Sequence, residues 1–370
     1  MVSHDDGVTG TRASTAGPRL GLIEADGIGP EIVPAARRVV DEALAVVGAD
    51  PVEWVSLPLG LRAIAEIGAA LPESTLAALD ELDGWILGPH DSAAYPAEHR
   101  NGPPPGGAIR KRFGLFANVR PARAYPGVRT ASPDMDLVIV RENSEGLYAD
   151  RNMAVGTGEF APTADVALSV GVVTRAASEQ IARHAFDLAR QRRRHVTVVH
   201  KANVLPLTMG LFRQACRDVA RDYPDVTVSE EHVDATAAHL VRRASDFDVI
   251  VTENLFGDIL SDLAGELSGS LGVAASLNCS QSKAMAQAAH GAAPDIAGRN
   301  RANPTALVVS AAMLLRWLGE RGDAASSAAA ARIEHAVAAT FEAGIATADL
   351  GGQASTTEFT EQLVARVHRR

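Results

Sequence analysis

The chain has 370 residues, 46% hydrophobic and 22% charged, with 35 Lys+Arg against 45 Asp+Glu for a net charge of −10. That is a globular composition, long enough for one large or two ordinary domains. The acidic balance excludes a general nucleic-acid binder, which needs a basic face for phosphates, and no stretch approaches the ~18 apolar residues of a membrane span.

From the amino end, residues 1–18 are polar and rich in Gly, Ser and Thr. They lack the apolar segment of a cleaved secretory signal and read as a disordered tail. Residues 20–24 predict a strand and 30–47 a helix, with Pro30 in the first turn, where its missing N–H costs nothing. Further strands are predicted at 52–57, 85–87, 137–140, 196–199, 226–228 and 249–251. Helical periodicity marks 176–193, 209–220, 235–244, 259–267, 304–318 and 327–343. The alternation predicts α/β layers about a largely parallel sheet. Two segments break it. Residues 88–107, with prolines at 103, 104 and 105, form a long loop, and residues 153–164 an irregular arm. Four arginines within 190–195 read as a solvated helix end rather than a nucleic-acid patch. Two cysteines, Cys216 and Cys279, cannot staple so long a chain, so a reducing, cytoplasmic setting is expected.

Several residue groups carry chemistry. Asp258 and Asp262 are four apart on a predicted helix, so their carboxylates share a face, a spacing that suits Mg²⁺ or Mn²⁺. Arg110, Arg120 and Arg141 stand at or near strand-like runs, where they would grip carboxylates or close internal salt bridges. Only three lysines occur, Lys111, Lys201 and Lys283. Lys201 follows a predicted buried strand, a setting that favours a neutral amine and a role as base. Tyr148 is a proton donor or a core tyrosine. The turn-rich run His290-Gly-Ala-Ala-Pro-Asp-Ile-Ala-Gly298 offers backbone N–H groups to a nucleotide, and Asp295 an acceptor for ribose hydroxyls. No G-x-G-x-x-G follows the first strand, so a Rossmann domain is not supported.

Together these runs resemble the metal-dependent β-decarboxylating dehydrogenases, the isocitrate/isopropylmalate dehydrogenase family with its homoisocitrate and tartrate branches. The matching pieces are Asp26-Gly-Ile-Gly-Pro-Glu31, Asn118-Val-Arg-Pro121, Arg141-Glu-Asn-Ser-Glu-Gly-Leu-Tyr148 and Lys201-Ala-Asn-Val-Leu205. Asp234, Glu253-Asn-Leu-Phe-Gly-Asp-Ile-Leu-Ser-Asp262, the His290 run and Ala302-Asn-Pro304 follow in order. The resemblance implies a two-domain, non-Rossmann α/β fold of the isopropylmalate dehydrogenase type with its active site in the interdomain cleft. Residues 19–115 with 270–370 would form the large, nucleotide-binding domain and 116–269 the small, dimerisation domain. It implies a homodimer with shared active sites and a hydroxy-dicarboxylate or tricarboxylate substrate. Arg110, Arg120 and Arg141 would hold the malate carboxylates. Asp258 and Asp262, with Asp234 from the other subunit, would bind Mg²⁺ or Mn²⁺. Lys201, also from the other subunit, would help take the hydroxyl proton, and Tyr148 would protonate the enol. His290, Gly291, Ala292, Ala293, Asp295 and Asn303 would bind the cofactor, NAD rather than NADP, because Asp295-Ile296 stand where NADP-dependent relatives carry Lys-Tyr. A non-catalytic regulatory subunit is the rival reading, and it conflicts with the presence of all these residues. An unusual malate analogue as substrate would share the mechanism.

The chain departs from the family pattern in three places. Ala25 replaces a glycine, a mild change. Ala286-Gln-Ala-Ala stands where the family carries Glu-Pro-Val before the histidine. Pro103-Pro-Pro-Gly-Gly-Ala-Ile-Arg110 has neither the Ser and Asn of isocitrate enzymes nor the leucines of isopropylmalate enzymes. Gly106 and Gly107 at a helix start are expected to leave room and bare N–H groups for a bulky or anionic C3 substituent. The alternative is that His90, Tyr95 or His99 lines the pocket.

Overall fold

The computed structural model describes residues 17–100, 104–148, 153 and 156–369, so nearly all of the expected tail, and Pro103, lie outside the described residues. The order is β1 (Arg19–Ile23), α1 (Gly29–Val47), β2 (Glu53–Ser56), α2 (Leu61–Ile67), α3 (Glu73–Asp80), β3 (Gly84–Leu87), α4 (Pro105–Arg112), β4 (Ala117–Arg123) and β5 (Asp136–Glu142). Then come β6 (Glu159–Thr163), β7 (Val166–Ser169), α5 (Arg175–Arg190), β8 (His195–His200), α6 (Thr208–Ala220), β9 (Thr227–His232), α7 (Val233–Arg243), β10 (Val249–Thr252) and α8 (Asn254–Leu267). The chain closes with β11 (Leu277–Cys279), β12 (Ala284–Gln287), α9 (Thr305–Gly319), α10 (Ala324–Glu342) and α11 (Thr356–Val367).

Ten strands form one sheet in the order β2-β1-β3-β12-β11-β4-β5-β10-β8-β9. Its two ends are parallel, as the alternation predicts. The middle ladders, β12–β11–β4–β5, are antiparallel, and there the expectation of a largely parallel sheet gives way. The short apolar runs at 277–279 and 284–287 carry no period that would have announced them. The arm contains the β6–β7 hairpin, whose described residues are exposed on both faces.

Successive side chains of a strand point to opposite faces, and here they enter different cores. Leu22, Ile86, Val138, Val140, Val249 and Val251 share one continuous core with α1, α5, α9 and α10. On the other face Ile23, Trp85, Leu87 and Met285 pack with Ile109 and Leu115 at one end of the sheet. Leu137, Ile139, Ile250 and Ala122 pack with Leu240, Leu260 and Ala264 at the other. One face of the sheet is therefore covered by a single core and the opposite face by two. Between those two, over the antiparallel middle, the apolar packing has a gap where Asn118, Arg120 and Arg141 are buried instead.

Three helix ends differ from prediction by three residues or more; one is the start of α10, at Ala324 rather than 327, where the Asp323 side chain accepts the Ser326 N–H. α8 begins at Asn254, five residues before its apolar period, because the Glu253 carboxylate accepts the N–H groups of Leu255 (3.0 Å) and Phe256 (2.7 Å). α5 stops at Arg190, and the arginines beyond it turn to Asp136 and Asp248, with Arg194 at φ +59°. Those pairs, with Arg190 on Asp225, are surface ion pairs apart from the buried Asp248, in keeping with a solvated helix end.

Candidate active site

Asn118, Arg120 and Arg141 occupy the strand positions that face the two-core side, in phase with Ala122 and Ile139. Arg141 and Arg120 are almost wholly buried, and burying a guanidinium is tolerable only with full polar partnership. α8 supplies it. Arg141 donates through Nε (2.9 Å) and Nη2 (2.7 Å) to Asn254 Oδ1 and through Nη1 to Asp258 Oδ1. Arg120 donates to Ser261 Oγ at 2.7 Å and Asn118 Oδ1 at 3.2 Å, and stands 3.1 Å from Asp258 and 3.4 Å from Asp262. Tyr148 completes the cluster: its hydroxyl donates to Asp258 Oδ2, and the Arg141 guanidinium lies 5.0 Å from its ring centre.

The electrostatics follow from this packing. Burial, and then the neighbouring Arg141, lower the Arg120 guanidinium to about 10, partly offset by Asp258 and Asp262. Burial would raise the Asp258 carboxyl, but Arg141, Arg120 and the Tyr148 hydroxyl outweigh it and hold it below the usual range. Asp262 moves the other way, raised chiefly by burial. Burial likewise raises the Tyr148 phenol, so it is a protonated donor at neutral pH.

Five of the expected residues are thus brought together: Arg120, Arg141, Tyr148, Asp258 and Asp262. Arg110 comes to the same gap from α4. Its Nη2 donates to Gln287 Oε1 at 3.0 Å, and its charge is felt at Asp258. Lys201 and Asp234 are placed elsewhere. They pair with each other, and no hydrogen bond or ion pair among the described residues joins them to the Asp258 cluster. Lys201 is therefore not the isolated apolar amine its strand suggested. It sits on an exposed carboxylate, whose own titration its hydrogen bond lowers. Among the described residues no three His, Cys, Asp or Glu side chains converge as a metal cage. Two carboxylates on one helix face suit Mg²⁺ or Mn²⁺, which keep water and substrate as their other ligands.

A cleft of about 690 Å³ opens at the C-terminal end of α8, where Glu266 lines it, within the range of small-molecule sites. His290, Gly291, Ala293, Ile296 and Asn303 line it, with Ser270, Arg301 and Asp349. The His290 Nε2 is buried without a hydrogen-bond partner among the described residues, an orphan that a nucleotide group would satisfy. Ala292 is buried at the back, where its carbonyl accepts the Ile28 N–H at 2.9 Å and ties the loop to α1. Asn303 is committed to Asp349 (3.0 Å) and to the Thr305 N–H (3.0 Å), so it shapes the wall of the cleft. Asp295 is exposed and is not among the cleft-lining residues. The carboxylate that does line it is Asp349, which also accepts from the Ser270 hydroxyl at 2.6 Å.

Sequence reasoning missed Asn254, Ser261, Gln287 and Asp349. For the first two a signal was present: 254, 258, 261 and 262 share one helical face. For Gln287 and Asp349 only tertiary packing reveals the role.

A mixed sheet thus carries two cores on one face, and buried arginines meet carboxylates where α8 packs against β4 and β5. The chain belongs to the isocitrate/isopropylmalate dehydrogenase family, whose description matches residues 19–363. It is 45% identical to the isocitrate/homoisocitrate dehydrogenase of Thermus thermophilus over 350 residues, 94% of this chain and 97% of that one. It is 40% identical to a 3-isopropylmalate dehydrogenase of Archaeoglobus fulgidus over 348 residues, 94% and 98% of the two chains. The structure resembles that of isocitrate dehydrogenase from Methylococcus capsulatus with a TM-score of 0.83, at 40% identity, covering 95% of this chain and all of that one. The fold is accordingly the two-domain α/β fold of decarboxylating dehydrogenases that act on 3-carboxy-2-hydroxy acids.

Proposed function

We propose that the protein catalyses NAD-dependent oxidative decarboxylation of a 3-substituted malate to a 2-oxo acid, CO₂ and NADH. The observation that carries this reading is the convergence of Arg120, Arg141 and Tyr148 on the single carboxylate of Asp258. Arg110, Arg120 and Arg141 receive the substrate carboxylates, exchanging part of their present pairing with Asp258 and Asp262 for it. Asp258 and Asp262 would hold Mg²⁺ or Mn²⁺, joined by Asp234 of a second subunit. Bound there, the ion supplies Lewis acidity toward the hydroxyl and its adjacent carboxylate. Lys201, also from the second subunit, accepts the hydroxyl proton, and Tyr148 returns a proton to carbon after CO₂ is lost. The cleft at His290 would hold the adenosine half of NAD, which accepts the hydride. Asp349, which lines the cleft, disfavours a 2′-phosphate there.

The homodimer belongs to the same reading. Lys201 and Asp234 pair outside the Asp258 cluster, so they serve it only from a neighbouring chain. Exposed apolar side chains at Val204, Leu207, Val241 and Ile259 offer the surface to bury. We divide the domains at 115/116 and 269/270, on either side of the gap between the two cores. Among the described residues no helix is long and apolar enough to cross a membrane.

The test is a panel of isocitrate, homoisocitrate, 3-isopropylmalate, tartrate and D-malate with NAD or NADP and Mn²⁺, following reduced cofactor and released CO₂. Turnover of at least one substrate with NAD, abolished by a chelator and restored by Mn²⁺, is expected. No turnover by a homogeneous dimer, or turnover indifferent to chelation, would overturn the reading.

A further inference from the structure

The first turn of α4 is held in an unusual way. Its cap position is Pro104 and its first residue Pro105, so no side chain caps it and neither residue has an N–H to offer. The first free donor is the Gly106 N–H, and it points at His90 Nε2, 3.3 Å away. An accepting Nε2 puts the ring proton on Nδ1, which faces Ser92 Oγ at 3.2 Å. Burial, and next the charge of Arg110, lower the imidazole's affinity for a second proton, against the pull of Asp26 and Asp91. The accepting form is thus the one present at neutral pH. The same ring fills the space over Gly106: a Cβ there would lie 2.8 Å from His90 Nε2 and 3.4 Å from its Cδ2. The room expected over Gly106 is therefore taken by His90. Of the three alternatives raised from sequence, His90 is the one seen to contact α4, while Tyr95 is buried on Asp26 at 2.8 Å.

We propose that His90 is a positioning residue for the substrate. Its imidazole caps α4 from outside the helix and thereby sets Arg110, one turn further on, and Gly106 is glycine because that imidazole occupies the place of a side chain. Arg110 is then located from two directions, by α4 through His90 and by the Gln287 amide. The substituent on C3 meets the His90 ring and the Gln287 amide rather than empty space. This deepens the function proposed above, and its kinetic half rests on that reading.

The experiment is a double-mutant cycle between Gly106→Ala and His90→Ala in the full chain, read in Tm and, for whichever malate is turned over, in KM and kcat. Gly106→Ala alone should lower Tm. His90→Ala should raise KM for the malate by about fivefold or more while kcat stays within about twofold, since a misplaced arginine weakens capture first. His90→Asn, which keeps an acceptor, should recover part of the KM. In the His90→Ala background, Gly106→Ala should cost nothing further in Tm. Additive effects in Tm, or a KM unchanged in His90→Ala, would overturn the proposal. Coupling in Tm without turnover of any malate would overturn the proposed function and support the contact.

Discussion

Arg141 lies flat against Gly257: a Cβ on that glycine would stand 2.6 Å from Cγ and 2.7 Å from Cβ of the arginine. α8 seats on β5 only because position 257 has no side chain, and this close approach lets Asn254 and Asp258 reach the guanidinium together. Gly257→Ala should cost about 1–3 kcal/mol through overpacking. It should cost activity more heavily, about 10²-fold, because it moves the carboxylate and arginine together off their positions. Calorimetry and steady-state kinetics on the purified variant check both. Wild-type activity would show that the seat is not needed.

Asp258→Asn keeps shape and removes the charge that both buried arginines share. The stability loss should be about 1–2 kcal/mol, kept small because part of the Asp258 side chain reaches solvent, which screens these pairs. Because the Asp258 carboxyl is held below its ordinary 3.8, its contribution is complete above that value and is lost as pH falls through the folded-state value. Urea unfolding from about pH 6 down to 2 should show a shallower acid limb in the variant than in the wild type. The same variant should weaken Mn²⁺ binding in a calorimetric titration.

Lys201→Arg preserves the ion pair with Asp234 but not an amine that gives up its proton. Turnover should fall by about 10²–10⁴ with the fold intact. Heterodimers of this variant with Asp258→Asn should regain activity, since one of their two sites carries neither lesion when the site is shared. Proven subunit exchange without recovery would place Lys201 in its own chain's site.

Ala25 stands at φ +56°, in the left-handed region, so the departure from the family's glycine is not as mild as its chemistry suggests. An L-residue pays about 1–2 kcal/mol there, against the greater freedom glycine has when unfolded. Ala25→Gly should raise stability by up to about 1 kcal/mol, seen as a small upward shift of Tm with KM for NAD unchanged.

The elements that sequence specified most sharply are those buried by one repeating rule. α1, α6 and α9, with strands β1, β5, β8 and β10, match their predicted ranges to within about two residues, because periodic apolar side chains declare which face is inside. The carboxylates of α8 were likewise legible from spacing, and the arginines from their isolation in apolar strands. Only tertiary structure decided that the middle of the sheet is antiparallel, for β11 and β12 are too short to carry a period. It also decided that Asp349 rather than Asp295 lines the cleft, and that His90 fills the space over Gly106. These rest on contacts between segments far apart in the chain, from 16 residues for His90 and Gly106 to 158 for Leu277 and Val119 across the β11–β4 ladder. Local spacing determines which groups share a helix face or a strand face. Which distant group meets them is set by how the two lobes pack, and no local pattern encodes that.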